Sequence, residues 1–97
     1  MTLSCRRPNP VFSDEYRLLR EALLEARRKS GVSQRDLAER LGKSHSHVAR
    51  IECGQRRVDT LEFYHIARAI GVEPASLFAQ VIRRLEAHGS EVGGRAA

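Results

Sequence analysis

The residues best suited to chemistry lie in the segment KSHSHVARIEC, residues 43–53. Ser44 can cap a helix that runs over about 45–53. At about 100° per residue, Val48 and Ile51 fall on one side of this helix. So narrow an apolar stripe is typical of a helix that faces a partner, and not of one that supports a core. The opposite side then carries four small or hydrogen-bonding residues: His45, Ser46, Ala49 and Arg50.

Direct recognition of DNA is the chemistry that these side-chain types fit. The major groove accommodates one α-helix, arginine can pair with guanine through two hydrogen bonds, and serine and histidine can donate or accept at base edges. The spacing therefore predicts base contacts from His45, Ser46 and Arg50. Phosphate contacts position a protein on DNA without recognising sequence. Three basic residues that flank the helix are placed to make them: Lys43, Arg56 and Arg57.

The charge balance favours a polyanionic partner. The 97 residues include 17 Lys and Arg against 12 Asp and Glu, a formal net charge of +5. Positive charge of this size draws a protein towards nucleic acid without proving that it binds there. With 5% aromatic residues and no Trp, the core must be built from aliphatic side chains. This favours one small all-α domain.

Helix start and stop signals divide the chain. Ser33 with Asp36, and Asp59 with Glu62, have the spacing of capping boxes. Glycines follow the expected helix ends. Residues 1–13 predict a flexible N-terminal arm and 90–97 a disordered tail, on either side of a domain over 14–89. Its predicted helices cover about 14–29, 33–41, 45–53, 59–70 and 74–88.

The stretch from Leu19 to about Phe78 resembles the XRE family, the phage Cro and repressor type of helix-turn-helix domain. The segments SQRDLAERLG and SHSHVARIECG match the two helices of the motif, at about 33–54, and LEFYHIARAIGVEPASLF matches the two that follow. The resemblance implies a compact five-helix, phage-repressor-like fold. The matching positions are Gln34, Ala38, Gly42, Val48, Ile51, Glu52, Gly54, Leu61, Ala67, Gly71 and Leu77.

The resemblance also implies roles for individual residues. Gln34 and Ser44 would contact DNA phosphates. Arg27 and Glu52 would form a structural ion pair, in which the loss of one partner costs more than the pair contributes. The chain departs from the family at Cys53, where Asn or Arg is frequent, and at the recognition positions, where Gln is frequent. The operator sequence is therefore not transferable from relatives.

The fifth helix carries a wide apolar stripe that predicts an interface. Part of it covers the core, and the remainder predicts a two-fold dimer, since repressors of this type bind half-sites about 34 Å apart. The predicted dimer residues are Phe78, Val81, Ile82 and Leu85.

Together these features predict a sequence-specific DNA-binding transcriptional regulator, a homodimeric repressor that occupies an inverted-repeat operator in double-stranded DNA. The alternative is an antitoxin-like or other protein-interaction module of the same fold, whose fifth helix binds a protein partner and whose DNA binding is secondary.

Catalysis and bound cofactors are not expected. The sequence offers no nucleophile with a base, no acidic pair in an apolar setting and no glycine-rich phosphate loop. His45 and His47 point about 200° apart on a helix and lack further ligands, so no metal site is predicted. The chain is expected to be neither an enzyme nor a cofactor-binding protein.

Cysteine use and hydropathy favour a cytoplasmic protein. Cys5 and Cys53 have no regular spacing, which predicts no disulfide framework. Cys53, expected to be exposed near basic residues, is either a redox-sensitive thiolate or a plain unreactive thiol. No run reaches the ~18 apolar residues that a membrane span requires.

Overall fold

The computed structural model describes residues 13–91, which form five α-helices and no strand. This confirms the predicted five-helix fold. Within this range no helix is long and apolar enough to cross a membrane. Residues 1–12 of the predicted arm and 92–97 of the predicted tail lie outside the described part of the chain. The helices are α1 Asp14–Lys29, α2 Gln34–Leu41, α3 His45–Glu52, α4 Thr60–Ile70 and α5 Pro74–Glu91.

Local signals set most helix ends. The Ser33 hydroxyl accepts from the Asp36 amide at 3.0 Å, and the Asp59 carboxylate accepts from the Glu62 amide at 2.7 Å, so both capping boxes are present. Gly42 ends α2 with a φ of 69°, in the left-handed region that favours glycine. These contacts satisfy amides and carbonyls that the helix ends would otherwise leave without partners.

The end of α5 differs from the prediction. Gly89 was expected to stop the helix at residue 88, yet α5 continues to Glu91. Gly89 is not among the four glycines of residues 13–91 that have a positive φ. A glycine within a helix costs only about 1 kcal/mol, and it ends the helix only where the backbone turns left-handed.

The core lies between α1, α4 and α5 and extends to α2 and α3. Val81 is 1% exposed and belongs to this core, so its assignment to the dimer interface is wrong. The stripe that includes Leu77 and Val81 faces into the domain, because α5 packs on both α1 and α4. Phe78 and Ile82, on its flank, remain 47% and 40% exposed, while Leu85 is partly buried.

α3 is more deeply embedded than its two predicted apolar residues suggested. Ala49 was expected on the outward side but is 1% exposed. α3 packs against α1 as well as α2, so its buried face is wider than one narrow stripe. The outward face is correspondingly smaller.

A buried ion pair joins α1 to α3. The guanidinium of Arg27 donates from Nε to Glu52 Oε2 at 2.6 Å and from Nη2 to Oε1 at 3.0 Å. Its Nη1 donates to the carbonyl of Val32 at 2.7 Å. Both residues are 7% exposed, and they are the buried charged residues of the described chain. The expected pair of Arg27 and Glu52 is thus present, and two hydrogen bonds join the guanidinium to the carboxylate.

Replacing Arg27 with Met should lower the free energy of unfolding by about 3 kcal/mol, because the change leaves a buried carboxylate without its cation. Arg17→Met is the matched control. Arg17 pairs with Glu21 on the exposed surface of α1, where such pairs contribute less than about 1 kcal/mol. Urea denaturation of both variants measures the difference, and equal destabilisation would contradict a structural role for the buried pair.

Candidate nucleic-acid interface

A tight turn connects α2 to α3. The amide of Lys43 donates to the carbonyl of Ala38 at 2.9 Å, and the amide of Gly42 donates to Glu39 at 3.1 Å. The hydroxyl of Ser44 then accepts from the amide of His47 at 3.1 Å and begins α3. These bonds fix the direction in which α3 leaves the turn.

The three residues predicted to contact bases all reach the surface of α3. Arg50 is exposed, and His45 and Ser46 are half-buried. On the other side of the helix Val48 and Ile51 are buried in the core. The first turn of α3 and Arg50 thus form a short polar surface that is backed by a packed face.

Gln34 links the buried ion pair to this surface. Its Nε2 donates to Glu52 Oε1 at 2.7 Å, and its Oε1 lies 3.0 Å from Nε2 of His45. Gln34 and His45 are the first residues of α2 and α3, so the turn between the helices brings them together. Sequence reasoning assigned the two residues separately to phosphate and base, and missed the contact because it depends on how the helices cross.

α1 holds the loop that follows α3. The hydroxyl of Tyr16 accepts from the amide of Val58 at 2.9 Å and donates to the carbonyl of Arg56 at 3.4 Å. Burial raises the pKa of Tyr16, although the hydrogen bond from Val58 lowers it, so the phenol keeps the proton that it donates. The guanidinium of Arg57 lies 5.7 Å from the Tyr16 ring.

The flanking basic residues differ in their surroundings. Lys43 is exposed at the turn. Arg56 donates to the carboxylate of Glu62 at 2.9 Å, in a pair whose arginine side chain is 46% exposed. Ion pairs as exposed as this contribute little, so the guanidinium can exchange Glu62 for a phosphate at small cost.

The histidines of α3 do not converge. His45 contacts Gln34, whereas Nε2 of His47 lies 3.9 Å from Glu62. Burial, and next the charge of Arg56, lower the pKa of His47, so its ring is neutral at pH 7 and forms no ion pair with Glu62. Residues 13–91 contain no group of three potential metal ligands.

Cys53 is not the exposed thiol that was expected. It caps the end of α3, is 8% exposed and is disulfide-bonded. The predictions of an exposed thiolate and of a plain thiol are therefore both wrong, and the disulfide bond of Cys53 is one that the spacing of the cysteines did not predict. Sequence spacing alone could not show that the sulfur is enclosed.

The arrangement is similar to known proteins. A helix-turn-helix family model matches residues 23–77. An XRE-family like protein from Pseudomonas syringae pv. tomato str. DC3000 is 38% identical, and the match covers 72% of this chain and 85% of that one with a TM-score of 0.69. A comparison of the sequence with curated proteins found no match.

Two further solved structures share the fold. The restriction-modification controller protein C.AhdI from Aeromonas hydrophila is 34% identical over 69% of this chain and 100% of its own, with a TM-score of 0.59. The clp gene regulator ClgR from C. glutamicum is 23% identical over 76% of this chain and 96% of its own, with a TM-score of 0.66, and shows a likeness of fold alone. The family match and the 38% identical relative establish that this chain is a member of the XRE family of helix-turn-helix DNA-binding proteins.

Proposed function

We propose that this protein is a homodimeric transcriptional repressor that acts by occupying an inverted-repeat operator in double-stranded DNA. The observation that carries the proposal is the form of α3. One face of this short helix is fixed in the core, and the other presents His45, Ser46 and Arg50. The mechanism is occupancy of DNA, without catalysis or a cofactor.

The fixation of α3 supports base recognition. Val48 and Ala49 are each 1% exposed, and the carboxylate of Glu52 accepts from Arg27 at the other end of the helix. Hydrogen bonds to base edges require side chains held in one geometry, because a rigid support preserves the small energy difference between bases. Arg50 would supply the guanine contact, with His45 and Ser46 on the preceding turn.

The residues proposed for phosphate contacts surround this helix and retain donors for them. The hydroxyl of Ser44 accepts from His47 and still has its own proton to donate. One N–H of the Gln34 amide bonds to Glu52, which leaves the second. Together with the net charge of +5, these donors support binding to the DNA backbone. The proposed set is Gln34, Lys43, Ser44, Arg56 and Arg57.

The exposed apolar residues of α5 support the dimer. Phe78 and Ile82 lie on the flank of the helix, and Leu85 is partly exposed. Phe78 also lines a groove of about 330 Å³ with Tyr64 of α4. A two-fold axis that brings this surface onto its copy would bury apolar area and pair two copies of α3 on one operator. C.AhdI, which is 34% identical to this chain, is a restriction-modification controller and is therefore a precedent for a regulatory role.

Selection from a random duplex library at physiological salt should enrich an inverted repeat whose half-sites are about one helical turn apart. Arg50→Ala should weaken binding to that sequence by about 1–3 kcal/mol and leave weak non-specific binding in place. Arg83→Ala is the matched control. It removes the same charge from α5, which does not pack on α2 or α3 in the described structure, and should retain the sequence preference.

A library that stays random while the protein still binds DNA at low salt would contradict the proposal and leave only an electrostatic attraction. The exposed apolar surface of α5 would then favour the alternative, a module that binds a protein partner and has secondary DNA binding.

Ile82→Glu should convert the dimer to a monomer of 10.9 kDa, because a charge placed in an apolar interface loses its hydration. It should reduce affinity for the full operator and spare affinity for one half-site. Ala87→Glu adds the same charge at an exposed position of the same helix and should do neither. Sedimentation equilibrium at micromolar concentration measures the mass, and a monomeric wild-type protein would contradict the dimer.

A further inference from the structure

A continuous chain of hydrogen bonds runs from the core to the first residue of α3. Arg27 donates to both oxygens of Glu52, Gln34 Nε2 lies 2.7 Å from Glu52 Oε1, and Gln34 Oε1 lies 3.0 Å from Nε2 of His45. Each step joins a side chain of one helix to a side chain of another. The series of hydrogen bonds ends at the imidazole of His45, which is half-buried at the surface of α3.

The chemistry of the groups fixes the direction of every bond. A guanidinium only donates and an ionised carboxylate only accepts. Glu52 therefore requires the amide nitrogen of Gln34 on its side, which turns the amide oxygen towards His45. Because that oxygen only accepts, Nε2 of His45 must carry a proton.

The remaining ring nitrogen of His45 is then determined as well. A neutral imidazole has one N–H, so a proton on Nε2 leaves Nδ1 as a hydrogen-bond acceptor. His45 is half-buried, and the described chain contains no buried side-chain nitrogen or oxygen without a partner. Nδ1 makes no hydrogen bond within the described structure, and it is therefore not fully buried.

We propose that the Arg27, Glu52 and Gln34 chain locks His45 in the Nε2–H tautomer, so that α3 offers DNA a hydrogen-bond acceptor at Nδ1. Gln34 is the positioning residue of this device, and His45 is the residue that determines specificity. This inference rests on the proposed function only for its DNA partner, since the tautomer is a property of the protein alone.

The lock selects one kind of group in the major groove. An acceptor matches the exocyclic amine of cytosine or adenine, the hydrogen-bond donors that bases present there. It does not match the N7 and O6 acceptors of guanine, which require a donor. An imidazole without the lock could present either nitrogen protonated and would accept both kinds of partner. His45 and Arg50 thus recognise opposite chemistry on the same helix.

The tautomer can be measured directly. In a long-range proton–nitrogen NMR spectrum at about pH 8, His45 should show a protonated Nε2 and an unprotonated Nδ1. Gln34→Met should convert this signature to a mixture of tautomers. Gln80→Met, the same change at an exposed position of α5, should leave it intact. A wild-type ring with its proton on Nδ1, or on both nitrogens, would overturn the proposal without reference to any variant.

The DNA side is tested on the selected operator, at the base pair where His45→Ala abolishes preference. An analogue that lacks the exocyclic amine there should weaken wild-type binding about fivefold, the equivalent of one hydrogen bond, and should not weaken His45→Ala further. A 7-deaza purine at the same pair should have no such effect. The reverse pattern would show that His45 donates, and insensitivity to both analogues would show a backbone contact; either outcome overturns the proposal.

The two proposals fail in different ways. A random library would refute the repressor and leave the NMR measurement valid. An enriched operator with the wrong tautomer or the wrong analogue response would refute the inference and leave the repressor standing.

Discussion

The placement of α3 depends on the ion pair between Arg27 and Glu52. An isolated helix of eight residues is unstable in water, so packing must hold α3 in shape. A carboxylate at the last residue of a helix is unfavourable, because the carbonyl end of the helix dipole is negative, and its burial adds a desolvation cost. Two hydrogen bonds from Arg27 and one from Gln34 offset both costs. The helix can adopt few other orientations without breaking them.

α1 supplies this support through a polar stripe. Tyr16, Arg20 and Arg27 are spaced by four and seven residues, which places them within about 40° of one another around the helix. Tyr16 holds the loop after α3, Arg20 donates to the carbonyl of Glu52 at 2.9 Å, and Arg27 pairs with its carboxylate. Arg20 also lies so close to Gly54 that a Cβ there would be 3.0 Å from its Nε. From the sequence, these polar residues of α1 would be expected to face solvent. In the structure they hold the end of α3 in place.

The features that sequence could predict are those with local causes. Capping boxes and left-handed glycines act within a few residues, and they placed α2 and α4 closely. The helix end predicted at Gly89 was wrong, because a glycine allows a helix to end but does not force it to end. Val81 and Ala49 were assigned to surfaces because one periodic stripe cannot show that two neighbouring helices cover a face.

In the candidate site, too, the features with local causes could be predicted and those that depend on helix packing could not. The residue types on α3 and their spacing were sufficient to indicate a polar surface at His45, Ser46 and Arg50. The contact between Gln34 and His45 required the crossing of α2 over α3, which no local signal contains. Sequence therefore indicated which side chains reach the surface, and the structure was needed to show which atom of His45 is left available.

The bond between Gln34 and His45 has a consequence for how specificity can diverge among descendants of this chain. Positions 46 and 50 have no hydrogen-bonded partner side chain within the described structure, so either can drift alone and retune the preferred site. The side chain at position 45 is instead hydrogen-bonded to the side chain at position 34. A new side chain at one of these positions leaves a donor or acceptor of the other without a partner. We therefore expect the residues at both positions to change together in lineages that acquire new operators.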